Sequence, residues 1–271
     1  MASRRNQNAA LLFQEHPVLT LDLWERQLGG PNSRARAVEQ AKYYAEVGRL
    51  RRLARGLYAV TPIGTDPRTF LPDPYLVAAA LRPDAILSHH SALDLLGHAH
   101  SVFHQFPYFT AHPRRTLRID GMEWPAVPHP APLVRKRRTG FGVVELDRRG
   151  RTLRLTGLER TLVDGFAAPW WVGGLDELVE SAAGFRDLDL DLLDAYLKLF
   201  DRRVLDAATG WFLERHPEVS TGVSRLLARL EKRKPQQPLY LGGRRAGGHL
   251  QRRWNILVPP HLANSSFEGS S

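Results

Sequence analysis

The sequence predicts an α+β fold in which a small N-terminal winged helix-turn-helix precedes a larger mixed α/β C-terminal domain. Three observations support this. Residues 1–60 contain short helix-like stretches that a glycine-rich turn interrupts and a hairpin pattern closes. Residues 61–74 contain four prolines and a glycine, which is typical of a linker. The rest alternates strand-like and helix-like stretches. We therefore predict domains over residues 1–60 and 75–262, a linker over 61–74 and a flexible tail over 263–271.

Within the first module, the apolar positions Ala9 to Phe13 predict a short helix that ends near His16 and Pro17. Thr20 is placed to cap a second helix over residues 21–28, because a threonine hydroxyl satisfies the free N–H groups of a first helical turn. Residues 29–32 read GGPN and break the chain. A third helix follows to about Val47, with Asn32 or Ser33 as its cap and Gly48 as its stop.

The third helix has two distinct faces. Small and apolar residues recur on one face at spacings of three and four: Ala37, Val38, Ala41, Tyr44 and Ala45. The hairpin over residues 49–60 reads RLRRLARGLYAV and turns at residues 54–56. Two short helices joined by a tight turn and followed by a hairpin are typical of a winged helix that binds DNA.

This arrangement assigns roles to named side chains. Residues predicted to meet base edges in the major groove project from the third helix: Ser33, Arg34, Arg36, Glu39, Gln40 and Tyr43. Phosphate contacts are predicted for the hairpin residues Arg51, Arg52 and Arg55. The alternative is a module of the same shape that contacts protein, or a plain helical subdomain.

The composition bounds the class of protein. A hydrophobic fraction of 43% in 271 residues indicates a globular chain with a core rather than a disordered one. The absence of cysteine excludes disulfides, thiolate zinc sites, iron–sulfur clusters and a catalytic thiol. No apolar run approaches the roughly 20 residues that span a bilayer, and the start MASRRNQN lacks the apolar segment of a signal peptide. We expect a cytoplasmic protein with no membrane partner.

The net charge of +10 predicts a polyanionic partner, of which nucleic acid is the commonest. The charge is zoned along the chain. Residues 1–60, 135–160 and 215–254 carry +5, +6 and +8, whereas residues 164–201 carry −7. The acidic zone can pair with the basic ones inside the fold, or shape the face that meets a polyanion.

In the second region, residues 75–82 predict a helix, and residues 87–97 predict another with Ser88 as its cap. Strands are predicted over residues 102–109, 117–119, 142–146 and 151–155, the last two joined by a turn at 147–150. Thr156 and Glu159 match a capping box, and Arg160 and Asp164 are spaced to pair on one helix. Further helices are predicted over 175–183, 189–200 and 203–215, with a strand over 254–258.

The order of three segments resembles the AbiEi-type antitoxins of type IV toxin–antitoxin systems, which include transcriptional regulators. The segments are RLRRLARGLYAV, SHHSALDLLG and TGLERTLVDGF, and the resemblance spans roughly residues 7–215. It implies that the winged helix represses its own operon at inverted repeats in double-stranded operator DNA. It also implies that the C-terminal domain opposes a nucleotidyltransferase-like toxin without forming a stable complex with it. The Arg/Gly-rich end after Glu218 does not match the family pattern.

Other chemistries fit the residues less well. Five histidines lie close in sequence, at positions 89, 90, 98, 100 and 104, but lack metal-ligand spacing. DLDLD at 187–191 fails the calcium-loop pattern at its sixth and twelfth positions. GGRRAGG at 242–248 lacks the order of a phosphate-binding loop. Nothing places a base and an orienting acid around Ser88 or Ser91, which disfavours a hydrolase. We expect no enzyme activity, no metal and no cofactor.

Two other functions remain open. Glu159 and Asp164 would suit a metal-dependent nuclease only if they shared a site. They are five residues apart, so on a helix their side chains point about 140° away from each other. Such an enzyme would use the winged helix to target DNA. The acidic helices over residues 175–201 would instead suit an adaptor that docks a basic partner.

Overall fold

The computed structural model describes residues 2–113, 115–242 and 247–264. The predicted tail lies mostly outside the described residues, as does the centre of the glycine- and arginine-rich loop at 242–248. Within the described ranges the chain is a mixed α+β structure with four small sheets. No helix in these ranges has the length and apolar character needed to cross a bilayer.

The N-terminal part forms three helices and a three-stranded antiparallel sheet. In chain order, its elements are α1 (Ala2–Glu15), β1 (Val18–Thr20), α2 (Leu21–Leu28), α3 (Ser33–Glu46), β2 (Leu50–Ala54) and β3 (Leu57–Val60). The strand order is β1-β3-β2. The predicted helices and the hairpin are confirmed. Strand β1 was not predicted, because three residues carry no readable periodicity and it forms by pairing with β3, some 40 residues away.

Both faces of this sheet are buried. On one face, Leu19 and Leu50 pack with Trp24, Ala37 and other apolar residues of α1 to α3. On the other, Val18, Leu53, Leu57 and Ala59 pack against the segment that begins after residue 74. The sheet is therefore shared by two apolar clusters, and the second cluster joins the N-terminal part to the rest of the molecule.

Residues 61–73 contain no helix or strand and lead into α4 (Pro74–Leu81), β4 (Ile86–Leu87) and α5 (His90–Leu95). Asp73 caps α4 by accepting hydrogen bonds from the N–H groups of Tyr75 and Leu76. The predicted cap at Ser88 is wrong. His89 occupies the N-cap position with a φ of 52°, and the Ser88 hydroxyl pairs with the His89 ring instead.

A five-stranded mixed sheet forms the centre of the larger part. Its new elements are β5 (Tyr108–Thr110), β8 (Ala126–Pro128), β9 (Val143–Arg148) and β10 (Arg151–Thr156), in the strand order β8-β5-β4-β10-β9. Between them lie the hairpin β6 (Leu117–Ile119) and β7 (Met122–Trp124), and helix α6 (Ala131–Arg135). The strand predicted over residues 102–109 is mostly loop, and only its last two residues lie in β5.

Helices packed around one apolar cluster complete the fold. They are α7 (Leu158–Ala167), α8 (Leu175–Ala183), α9 (Leu190–Phe200), α10 (Arg203–Arg215), α11 (Val223–Arg233) and α12 (Pro260–Asn264). A small sheet comprises β11 (Leu239–Tyr240), β12 (His249–Gln251) and β13 (Ile256–Val258). The cluster is centred on large residues such as Tyr196, Trp211, Phe212 and Trp254. Helices α8 to α10 are confirmed, whereas α11 was not predicted.

The capping box predicted for α7 is wrong. Gly157 occupies the N-cap, and Thr156 is the buried last residue of β10, where its hydroxyl pairs with that of Thr161. Glu159 accepts a hydrogen bond from the Asp189 N–H. The predicted pair of Arg160 and Asp164 is confirmed, with Nε and Oδ2 separated by 3.1 Å.

Candidate nucleic-acid interface

Helices α2 and α3 pack against each other around a small apolar centre. The Thr20 hydroxyl accepts the Leu23 N–H at 3.1 Å and so caps α2 as predicted. Gly29 and Gly30 both have positive φ, which allows the tight turn between the helices. Trp24 is 1% exposed, and its indole N–H donates to the side-chain oxygen of Gln40 at 3.1 Å. Gln40 therefore holds α3 to α2 through its side-chain oxygen.

The outward face of α3 presents a mixed set of polar groups. Glu39 and Tyr43 are exposed, as predicted, and the exposed Lys42 lies between them although the prediction did not include it. Arg36 and Ser33 are half-buried, and the Arg36 guanidinium donates to the Gly29 carbonyl at 3.3 Å. Asn32, one of the two predicted cap residues, occupies the N-cap position of α3, but it takes a left-handed conformation and its side chain makes no capping hydrogen bond.

Arg34 is tied to the preceding helix. Its guanidinium lies 2.5 Å from Asp22 and 3.2 Å from Glu25, both on α2. These partners raise the pKa of Arg34, and the largest cause is the hydrogen bond that its guanidinium donates to Asp22. Half of the side chain remains exposed. The two carboxylates therefore partly neutralise the charge of Arg34 in the protein without a ligand.

The three hairpin arginines do not share one face. Strand side chains alternate, so Arg52 lies opposite Tyr58 on the side of α3, and Arg51 lies opposite Ala59 on the other side. Arg51 is bound to Asp120 at 2.5 Å and to the Phe70 carbonyl at 2.6 Å. The prediction that Arg51 contacts phosphate is not supported by this geometry. Arg52 and Arg55 are exposed.

A groove of 1410 Å³ runs between these N-terminal elements and the central sheet. Its walls come from α2, α3 and the β2–β3 hairpin on one side and from α4 and β10 on the other. Among the described residues that line it, eight carry cationic side chains and two carry acidic ones. The cations are Arg26, Arg34, Lys42, Arg52, Arg55, Arg82, Arg151 and Arg154, and the acids are Asp22 and Glu46.

The sequence did not predict that cations from separate basic zones line one surface. Arg151 and Arg154 belong to the basic zone at residues 135–160, which the sequence analysis left without a ligand. Both are exposed on β10 and are among the residues that line the groove, although strand alternation directs their side chains to opposite faces of the sheet. A concave surface with one dominant sign of charge concentrates counter-ions and attracts a polyanion.

The carboxylates considered for a nuclease do not share a site. Asp164 is 1% exposed and accepts hydrogen bonds from Tyr196 and Arg160, while Glu159 is engaged by α9. Burial raises the pKa of Asp164, and the Arg160 charge opposes that shift. Within the described residues, no group of three His, Asp or Glu side chains is arranged to hold a metal ion.

Comparison with known proteins adds a fold relationship. No protein-family model and no curated protein matches the chain. The structure is similar to the crystal structure of the RV2827C protein from Mycobacterium tuberculosis, with a TM-score of 0.59 and 18% sequence identity. The similarity covers 93% of this chain and 89% of that chain, so the two share most of their fold.

Proposed function

We propose that the protein is a DNA-binding transcriptional regulator and that residues 2–60 act as its winged helix-turn-helix. In this proposal α3 enters the major groove and the β2–β3 hairpin is the wing. The observation that carries the proposal is the basic groove. Its described lining includes Arg34 and Lys42 of α3 together with Arg52 and Arg55 of the hairpin, and cations outnumber acids there. The other residues predicted to read bases do not line the groove: Ser33, Arg36, Glu39, Gln40 and Tyr43.

The candidate base-reading groups lie on α3, where Arg36 also donates to the Gly29 carbonyl and Lys42 lies 4.0 Å from Glu46. Glu39 can accept from a cytosine amino group, and Lys42 can donate to guanine. Tyr43 is 56% exposed at the end of the same face. Ser33 and Arg36 lie at the N-terminal end of the helix, which is the end that meets base edges in proteins of this type.

The phosphate-binding groups come from both walls of the groove. Arg52 and Arg55 supply the wing side, and Arg151 and Arg154 supply the sheet side. Each phosphate that a cation neutralises releases counter-ions and adds about 0.9 to the slope of log K against log salt. Four such contacts would make binding strongly salt-dependent.

We propose the wider role of type IV antitoxin on the order of the three segments named above. In that role the protein represses its own operon at inverted repeats and opposes a nucleotidyltransferase-like toxin. A growth assay with a nucleotidyltransferase-like protein encoded beside this gene tests it. Rescue of growth by this chain supports the antitoxin role, and continued toxicity contradicts it without affecting the DNA-binding proposal.

DNA binding itself is tested by a salt titration with the parent, Arg52→Ala and Glu39→Ala. The DNA is the promoter region of the protein's own gene, compared with a random duplex. We expect Arg52→Ala to weaken binding to both duplexes and to lower the salt slope by about 1. Glu39→Ala should leave the slope unchanged and reduce the preference for the promoter.

Arg252→Ala is the matched control, because Arg252 is exposed but does not line the groove. It should bind like the parent. If Arg52→Ala and Arg252→Ala have the same affinity and slope as the parent, the groove does not bind DNA.

A further inference from the structure

A second, smaller pocket lies away from the basic groove and shares no lining residue with it. Its volume of 380 Å³ falls in the range of about 300–1,000 Å³ that is usual for small-molecule sites. Three prolines of the β8–α6 segment form one wall, and aromatic side chains form much of the rest: Phe109, Trp170, Trp171 and Phe200. Flat apolar walls of this kind suit a planar ring.

His89 supplies a polar group to this apolar pocket. The side chain is 2% exposed, and its Nδ1 atom lies 2.9 Å from the Ser88 hydroxyl. No described residue forms a hydrogen bond with its other ring nitrogen, Nε2. Burial, together with the charge of Arg160, lowers the pKa of His89 to about 3, so the ring is neutral at physiological pH. A neutral imidazole with one free nitrogen can bind one polar atom of a ligand.

The backbone at His89 is strained. Its φ of 52° and ψ of −126° lie in a region that residues other than glycine rarely occupy. Such a conformation costs about 1–3 kcal/mol and is found most often at functional sites. Asp164 also lines the pocket, but both of its oxygens are already engaged by Tyr196 and Arg160.

Arg202 gives the pocket a cationic rim. It is exposed, and within the described ranges it forms no ion pair. Trp170 is also a lining residue and is 60% exposed, so an apolar surface extends to the opening. The pocket thus combines flat apolar walls, one buried neutral hydrogen-bonding group and one exposed cation.

We propose that this pocket binds a compact planar aromatic carboxylate that carries a second polar group. The ring lies between the aromatic side chains and the prolines, the second polar group meets Nε2 of His89, and the carboxylate meets Arg202. This site is independent of the proposed DNA contacts, because none of its residues lines the basic groove.

Three probes separate these contributions by isothermal titration calorimetry in the absence of DNA. The first is 6-hydroxy-2-naphthoate, which has both polar groups. The second is 2-naphthoate, which lacks the hydroxyl, and the third is 2-naphthol, which lacks the carboxylate. We expect the first to bind most tightly. Arg202→Gln should weaken the two carboxylates about two- to fivefold, as for an exposed ion pair, and leave 2-naphthol unchanged.

Ala131→Trp tests the location, because Ala131 is exposed and lines the pocket. The indole should fill the pocket and abolish binding of all three probes. Ala228→Trp, at an exposed position of α11 outside the pocket, should bind like the parent. Circular dichroism and thermal unfolding confirm that each variant is folded, and if Ala131→Trp is not, the Arg202→Gln comparison decides. The absence of saturable binding up to millimolar probe, or carboxylate binding unchanged by Arg202→Gln, overturns the proposal.

Discussion

At the scale of single residues, adjacent arginines in strand β2 have different roles. Arg51 and Arg52 carry the same charge and lie beside each other in the sequence, and the sequence alone suggests phosphate binding for both. The alternation of a strand sends them to opposite faces, and only the structure shows that the Arg51 face is covered by the segment around Phe70 and by Asp120. Arg51 therefore joins two parts of the molecule, while Arg52 remains available to a ligand.

We predict that Arg51→Ala lowers the free energy of unfolding by about 1 kcal/mol, because it removes a partly buried ion pair and a hydrogen bond. Its salt slope for DNA binding should equal that of the parent. Arg52→Ala should show the reverse pattern, with a small change in stability and a lower slope. Urea unfolding and the salt titration measure the two effects. A lower salt slope for Arg51→Ala would contradict the structural role.

The six residues predicted to read bases divide in a similar way. Glu39 and Tyr43 are free on α3, whereas Arg34 is bound to two acids of α2 and Gln40 to the indole of Trp24. Helical periodicity predicted which face these residues share. It could not predict their partners, because those lie on another helix whose crossing angle depends on packing.

At the scale of elements, helices were easier to predict than strands. The amphipathic pattern over ten or more residues located α9 and α10 closely. Strands β1, β4 and β7 have two or three residues each, which is too short for a readable alternation of apolar and polar residues. The contact between α10 and Trp254 could not be predicted from the sequence either, because it joins residues about 40 positions apart.

We predict that Gly210→Ala destabilises the protein by about 2 kcal/mol or more, although alanine is ordinarily the better helix former by about 1 kcal/mol. A Cβ atom at Gly210 would overlap the Trp254 indole ring. Gly140→Ala is the control, because a Cβ there meets no atom within 4 Å. Thermal unfolding should separate the two variants. A Gly210→Ala protein as stable as the parent would show that α10 and Trp254 do not pack as described.

At the scale of the whole molecule, the charge zones have different roles. The acidic zone at residues 164–201 pairs with the basic helix α11: Arg229 and Arg233 both reach Asp194, at 3.1 and 2.7 Å. Arg253 is bound by Glu214 and Glu231. Three of the ten cations in the most basic segment, residues 215–254, are thus paired within the described part of the fold. The arginines of β10 instead line the groove.

We predict that Arg233→Ala lowers the free energy of unfolding by about 2 kcal/mol at pH 7, because it leaves the buried Asp206 without its partner. Burial raises the pKa of Asp206 to about 6, although Arg233 opposes this shift. At pH 5 the Asp206 carboxyl is largely protonated and neutral, so it depends less on the Arg233 cation. The loss of unfolding free energy in Arg233→Ala should therefore be smaller at pH 5 than at pH 7.

Urea unfolding at both pH values measures this loss. Lys232→Ala is the control, since Lys232 is exposed and its removal should change stability by less than about 0.5 kcal/mol. An equal loss for Arg233→Ala at pH 5 and pH 7 would show that Asp206 is not the group exposed by the substitution.

The sequence by itself determined the α+β class, the helices with clear periodicity, the β2–β3 hairpin and the excess of positive charge. These features depend on neighbouring residues and on composition, so they can be read along the chain. Tertiary structure decided which arginines are free, which charge zones pair with each other, and that β10 lines the groove together with α3 and the β2–β3 hairpin. It also placed His89 in a pocket with Arg202. Such features join residues far apart in sequence, and no local pattern encodes the distance between them.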